Sequence, residues 1–90
     1  MSINNEIAPD KLEASFSMLA MSIASSALMS MGLTPEPHSG KTEIDKNVAR
    51  FNIDLLVMLK EKTKNNLNKE ESDFLTQILQ DLQLKFLQIK

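Results

Sequence analysis

From Ala14 to Pro35 the chain carries no charged residue. Most of that stretch, Ala14-Ser15-Phe16-Ser17-Met18-Leu19-Ala20-Met21-Ser22-Ile23-Ala24-Ser25-Ser26-Ala27-Leu28-Met29-Ser30-Met31, reads as one helix. A surface helix keeps a charged face toward water, whereas one uncharged all round is enclosed by other helices or by lipid. Two further helices cannot enclose it. The segment therefore points to self-association, a partner protein or a membrane, and it names no reaction.

The 90 residues allow one small domain, near the lower limit at which a single core suffices, so burial against another chain would help. A formal charge of -2 lacks the positive field that attracts phosphate backbones, which argues against nucleic acid as a partner. The sequence has no Cys, which removes disulfides, thiolate nucleophiles and cysteine metal sites. The start, Met1-Ser2-Ile3-Asn4-Asn5-Glu6, has no basic run before an apolar block and does not read as a secretory signal. The expected setting is cytoplasmic, with residues 1–9 a flexible lead.

The uncharged stretch is long enough for a bilayer, which takes about 20 residues. Its composition argues against spanning. Ser17, Ser22, Ser25, Ser26 and Ser30 interrupt the apolar residues, interfacial Trp and Tyr are absent, and the flanks hold one Lys each, Lys11 and Lys41. A membrane is the less favoured surrounding.

Three helices are expected, over about 10–31, 45–64 and 69–89. The first opens at Asp10, where Asp10-Lys11-Leu12-Glu13 fits a capping box, and stops at Gly32. Pro35 and Pro37 make residues 32–44 a loop. Asp45 caps the second helix, with Ile44 before it as a staple residue. That helix runs to about Lys64; Asn65 and Asn66 can take the left-handed conformation, and Leu67 can supply the accompanying apolar contact. Asn68-Lys69-Glu70-Glu71 is a further cap. The short connection makes the second and third helices an antiparallel hairpin. The fold class is all-α: a long uncharged first helix packed on this hairpin and completed by oligomerisation.

At 100° per residue the second helix places Ile44, Val48, Phe51, Leu55, Met58 and Leu59 on one stripe, widened by Ala49 and Leu56. Lys46, Arg50, Asp54, Glu61 and Lys64 fall opposite, and Asp54 can pair with Arg50 one turn earlier. The third helix gathers Phe74, Leu75, Ile78, Leu79, Leu82, Phe86 and Ile89, leaving Glu70, Ser72, Asp73, Gln77, Gln80 and Gln83 to solvent. Leu84, Leu87 and Val57 lie outside these arcs, as surface residues or as parts of an interface.

In the first helix Ala20, Ala24 and Ala27 form a small-residue groove bordered by Phe16 and Ile23 on one side and by Leu28 and Met21 on the other. Such a groove admits a close helix. On the far side Ser22, Ser26 and Ser30 form a row beside Ser25, Met18 and Met29. This face either lines solvent or makes a second helix contact, its hydroxyls bonded to their own backbone or across the interface. The candidate interface is accordingly Phe16, Ala20, Ile23, Ala24, Ala27 and Leu28 together with Ser22, Ser26, Met18 and Met29.

Phe16-Ser17, Ser22, Ser25-Ser26-Ala27-Leu28, Gly32, the Pro35-Glu36-Pro37 and Gly40 loop, Ala49-Arg50, Ile53-Asp54-Leu55-Leu56, Leu59, Lys62-Thr63 and Asn66-Leu67 form a combined pattern. It resembles the bacterial domain-of-unknown-function family 1844, from about Leu12 to Phe86. The chain departs from that family's pattern at Asn65, where Gly is typical, at Asn68, where Thr usually caps, and at Gln83, where a basic residue is common. The first two changes keep turn and cap chemistry; the third removes a cation near the C-terminus. The resemblance implies a small bacterial intracellular helical protein with no assigned activity.

Catalysis finds little material. The sole imidazole, His38, sits in a proline-bounded loop without a neighbouring nucleophile or second metal ligand. Glu70 and Glu71 belong to a first helical turn, where acidic groups favour the dipole. Gly32 and Gly40 form no phosphate-cradling motif. No catalytic residue, cofactor site or metal site is assigned. Asn52 falls near the apolar stripe of the second helix, either exposed at its edge or setting the register of a partner. Lys62 on the same side lays its methylenes on the core with its ammonium in water. The expected function is a non-enzymatic helical interaction protein that forms a homodimer or higher oligomer through the first helix. Two alternatives stand beside it: a membrane-peripheral protein using that helix at the lipid boundary, and an adaptor holding another protein through its Met and Ser face.

Overall fold

The computed structural model describes residues 14–89. Three helices follow in order: α1 (Phe16–Ser30), α2 (Lys46–Lys62) and α3 (Lys69–Gln88). The all-α expectation holds among these residues, where the only β pairing is one isolated antiparallel bridge between Met31 and Ile44.

Each helix start is set by a side-chain acceptor. Ser15 is extended, and its hydroxyl accepts from Met18 N at 3.1 Å, so α1 begins there. This corrects the expected start: Ala14 and Ser15 are not helical, and the Asp10 capping box lies outside the described residues, as does the 1–9 lead. The Asp45 carboxylate accepts from Val48 N at 3.2 Å, as expected of a cap. Asn68 and Glu71 form a complete capping box: Glu71 N donates to Asn68 Oδ1 at 2.8 Å, and Asn68 N donates to Glu71 Oε1 at 3.0 Å.

The helix ends are equally local. Gly32 N donates to Met29 O and Leu33 N donates to Leu28 O, the bond pair of a Schellman motif, with Gly32 at φ +75°. A Cβ on Gly32 would stand 2.8 Å from Ile44 Cγ1, so glycine is required for space as well as conformation. The α2 helix stops at Lys62, two residues before the expected end, with the Thr63 hydroxyl donating to Leu59 O at 2.6 Å. Asn65 takes the left-handed conformation at φ 70° and Leu67 packs half-buried against the core.

The helices run up, down and up. Asp45 N donates to Ser30 O at 2.7 Å, tying the end of α1 to the start of α2. Lys46 Nζ at the start of α2 lies 5.8 Å from the Phe86 ring centroid near the end of α3, while Thr63 and Leu75 border one depression at the opposite end. Ile44, just before the Asp45 cap, is a bridge partner of Met31 and largely exposed.

The core holds Ala20, Ala24, Ala27 and Met31 from the α1 side, Ala49, Ile53 and Leu56 from α2, and Leu75, Leu79 and Leu82 from α3. On α3 the expected arc is the buried one, and Leu84 and Leu87 stand in solvent. On α2 the expected stripe packs into the core only along one edge, at Ala49, Leu56 and Leu59. Ala49, Asn52, Ile53 and Leu56 point inward, an arc turned by roughly 120° from Val48, Phe51, Leu55 and Met58. Apolar residues extend most of the way around α2, and packing selects the side that carries Ala49. There the three alanines of α1 allow close approach, since interaxial distance follows side-chain size at the contact. Val57, expected outside the arc, is half-buried against this core.

Ion pairs within helices join Lys69 to Asp73 at 2.9 Å and Lys85 to Asp81 at 2.6 Å, both on α3. The Arg50 and Asp54 pair suggested by spacing is not formed. No described helix is long and apolar enough to cross a membrane. The 15 residues of α1 rise only about 22 Å, short of a hydrocarbon layer of about 30 Å.

Candidate functional site

The α1 groove is occupied by the chain itself. Ala20, Ala24 and Ala27 are buried in the core, and Phe16, Ile23 and Leu28 pack half-buried against it. The outer face is what remains: Ser22 is exposed, and Met18, Ser26 and Met29 are half-buried. Ser30 Oγ donates to Ser26 O at 2.8 Å, so one hydroxyl of the serine row is satisfied by its own helix.

This uncharged face meets the unused apolar side of α2. Ser26, Met29 and Ser30 of α1 and Val48, Phe51 and Asn52 of α2 surround an open hollow of about 710 Å³. Along the same side of α2, Val48 is 43% exposed, Phe51 61% and Met58 40%, with Ile44 57% exposed just before the helix. Met18 and Ser22 instead border a second depression at the start of α1, with Phe16 and Leu19. The ten candidate residues thus divide into a core set and two groups on the outer surface.

Asn52 is the buried polar residue of this region, 8% exposed. Its Nδ2 donates to Val48 O at 3.0 Å, one turn earlier on the same helix. That bond offsets part of the cost of burying an amide. The exposed-edge alternative is thereby removed.

The polar rim of the hollow comes from the connection between α1 and α2. Glu36 N donates to Lys41 O at 2.8 Å and Gly40 N donates to Glu36 O at 2.7 Å, closing a short loop. Within it Glu36 Oε1 accepts from Ser39 N at 2.7 Å and from His38 N at 3.0 Å. These amide donors, Ser39 first, hold the Glu36 carboxyl below its ordinary value; slight desolvation opposes them. Pro37 follows Glu36 as a proline follows a helix cap, where no N–H is needed. His38 is exposed on this loop.

Sequence reasoning identified the outer face of α1 and missed the exposed side of α2, having assigned it to the core. A signal for it existed: Ile44, Val48, Phe51, Leu55 and Met58 recur in steps of four and three, the narrow seam of a coiled coil, while Ala49, Ile53, Leu56 and Val57 form a second apolar side. Among the described residues no group of three or more His, Cys, Asp or Glu side chains could hold a metal ion.

No curated protein matches the chain. No solved structure matches it either. The family model described as Domain of unknown function (DUF1844) matches residues 13–88, most of the chain, and the chain belongs to that family.

Proposed function

We propose that this protein acts by association rather than catalysis, and that it self-associates through the surface shared by α1 and α2. One observation carries the reading: the uncharged outer face of α1 borders the exposed apolar side of α2 around one hollow. Large apolar side chains partly exposed together beside a polar rim, here Val48, Phe51 and Met29 beside Glu36, Lys41, Glu43 and Asp45, are a mark of an interaction site. A chain of this length also gains from burying such a patch against another chain. The exposed phenyl ring of Phe51 is the type of anchor on which interface energy concentrates.

Light scattering across a micromolar concentration series tests the proposal. The expected result is a mass at an integer multiple of 10.1 kDa that falls on dilution. A folded monomer at every concentration overturns it. Phe51→Lys is expected to keep the helical circular dichroism spectrum and to lose the higher-mass species.

A further inference from the structure

The α2 helix presents a seam that its own core leaves uncovered. Ile44, Val48, Phe51, Leu55, Met58 and Lys62 follow one another in steps of four and three, which keeps them on one line as a partner helix would need. The inward side of α2 is turned away from this line and is already filled. A helix with two apolar faces has one for its own bundle and one for another helix.

The two ends of the seam differ in charge. Glu43 and Asp45 flank Ile44 at its start, and Lys62 closes it at the other end. Lys46, which follows Asp45, is turned toward the Phe86 ring of α3, and the one cation lining the hollow there, Lys41, stands among three carboxylates, Glu36, Glu43 and Asp45, so this end is acidic on balance. Resting on the self-association reading, we infer that the seam is covered by α2 of a second copy running antiparallel, about a two-fold axis level with Ile53. A two-fold contact is self-complementary, each residue meeting the counterpart of its partner. In this register Val48 lies opposite Met58 of the second copy and Phe51 opposite its Leu55. Lys62 comes beside Ile44, between Glu43 and Asp45 of the other chain. A parallel arrangement would instead stack Lys62 on its own image and the acidic end on itself, and like charges in contact disfavour that partner. Asp54 flanks the seam next to the axis and faces its own copy, a like-charge contact of the antiparallel register, and Glu61 comes level with Asp45 of the second copy beside the Lys62 pairing.

The absence of Cys from the sequence makes the test clean. Val48→Cys and Met58→Cys are made as single variants, both at partly exposed positions, and checked for helical circular dichroism. Mixed and mildly oxidised, they are expected to give chiefly the disulfide between the two different variants, identified by mass spectrometry. Dominance of the two homodimeric disulfides would overturn the antiparallel arrangement. No disulfide at all, with oligomers still present by light scattering, would overturn the seam while leaving self-association standing; a monomeric wild-type chain would overturn both. As a second measurement, Asp54→Asn is expected to tighten association about two- to fivefold, the scale of one relieved exposed charge contact. Unchanged or weaker association counts against the axis at Ile53.

Discussion

Phe51 and Asn52, neighbours on α2, occupy the reverse of the places their chemistry favours: the phenyl ring is 61% exposed and the amide 8%. One step of 100° separates a seam facing outward from a face packed on α1 and α3. The amide is accommodated by its bond to Val48 O, and the ring remains available to another chain. The pair locates the surface of interest more sharply than either residue alone.

The first prediction inverts the usual ranking by side-chain size. Leu56, fully buried, should lose about 2–5 kcal/mol on truncation to Ala, because a cavity is left in a filled core. Phe51→Ala removes the larger side chain yet should cost the dilute monomer no more than about 0.5 kcal/mol. Urea titrations of both variants at low protein concentration check the order, which reverses if Phe51 belongs to the core.

Charge placed on the two sides of α1 should separate folding from association. Ala24 is buried, so Ala24→Glu puts an unpaired carboxylate into the core and should cost several kcal/mol, enough to unfold a domain of marginal stability. Ser26 is half-buried where α1 lines the hollow, and Ser26→Glu should leave the helical spectrum intact while weakening self-association. Circular dichroism and light scattering on each variant read the two effects.

Two glycines with similar backbone angles should respond differently to alanine. Gly32, at φ +75°, has Ile44 Cγ1 2.8 Å from the added methyl; Gly40, at φ +70°, has open space. Both substitutions carry the left-handed penalty of about 1–2 kcal/mol, and Gly32→Ala adds the clash with the bridge between Met31 and Ile44. Thermal melts should place Gly32→Ala clearly below Gly40→Ala.

The Glu36 loop predicts a pH dependence of known sign. The native carboxyl titrates below its unfolded value because Ser39 N and His38 N donate to its ionised form. Its stabilisation is therefore complete above the unfolded value and disappears as the pH falls through the lower native one. Melting temperatures of the wild type and Glu36→Gln should differ near neutrality and converge in acid through that window. A constant difference across it would assign the loop's stability to other bonds.

Vesicles provide a comparison from outside the protein class. The outer face of α1 carries no Lys or Arg, the residues by which interfacial helices engage anionic headgroups. Flotation with neutral or anionic liposomes should recover no protein, and recovery with either would move the α1 face from a protein contact to a lipid one.

The features legible in the sequence are ones that depend on a single turn of chain. The stop at Gly32, the cap at Asp45, the left-handed Asn65, the Asn68 and Glu71 box and the buried arc of α3 were all legible, because each rests on hydrogen bonds or periodicity within a few residues. Tertiary structure decided the rest. The Ala20, Ala24 and Ala27 groove holds the chain's own helices, and α2 turns inward the side with Ala49 and Asn52 while its heptad seam faces out. Periodicity reports that a face is apolar, not what will cover it. That choice follows from how closely two helices can approach, and at α1 and α2 the small side chains on both sides settled it.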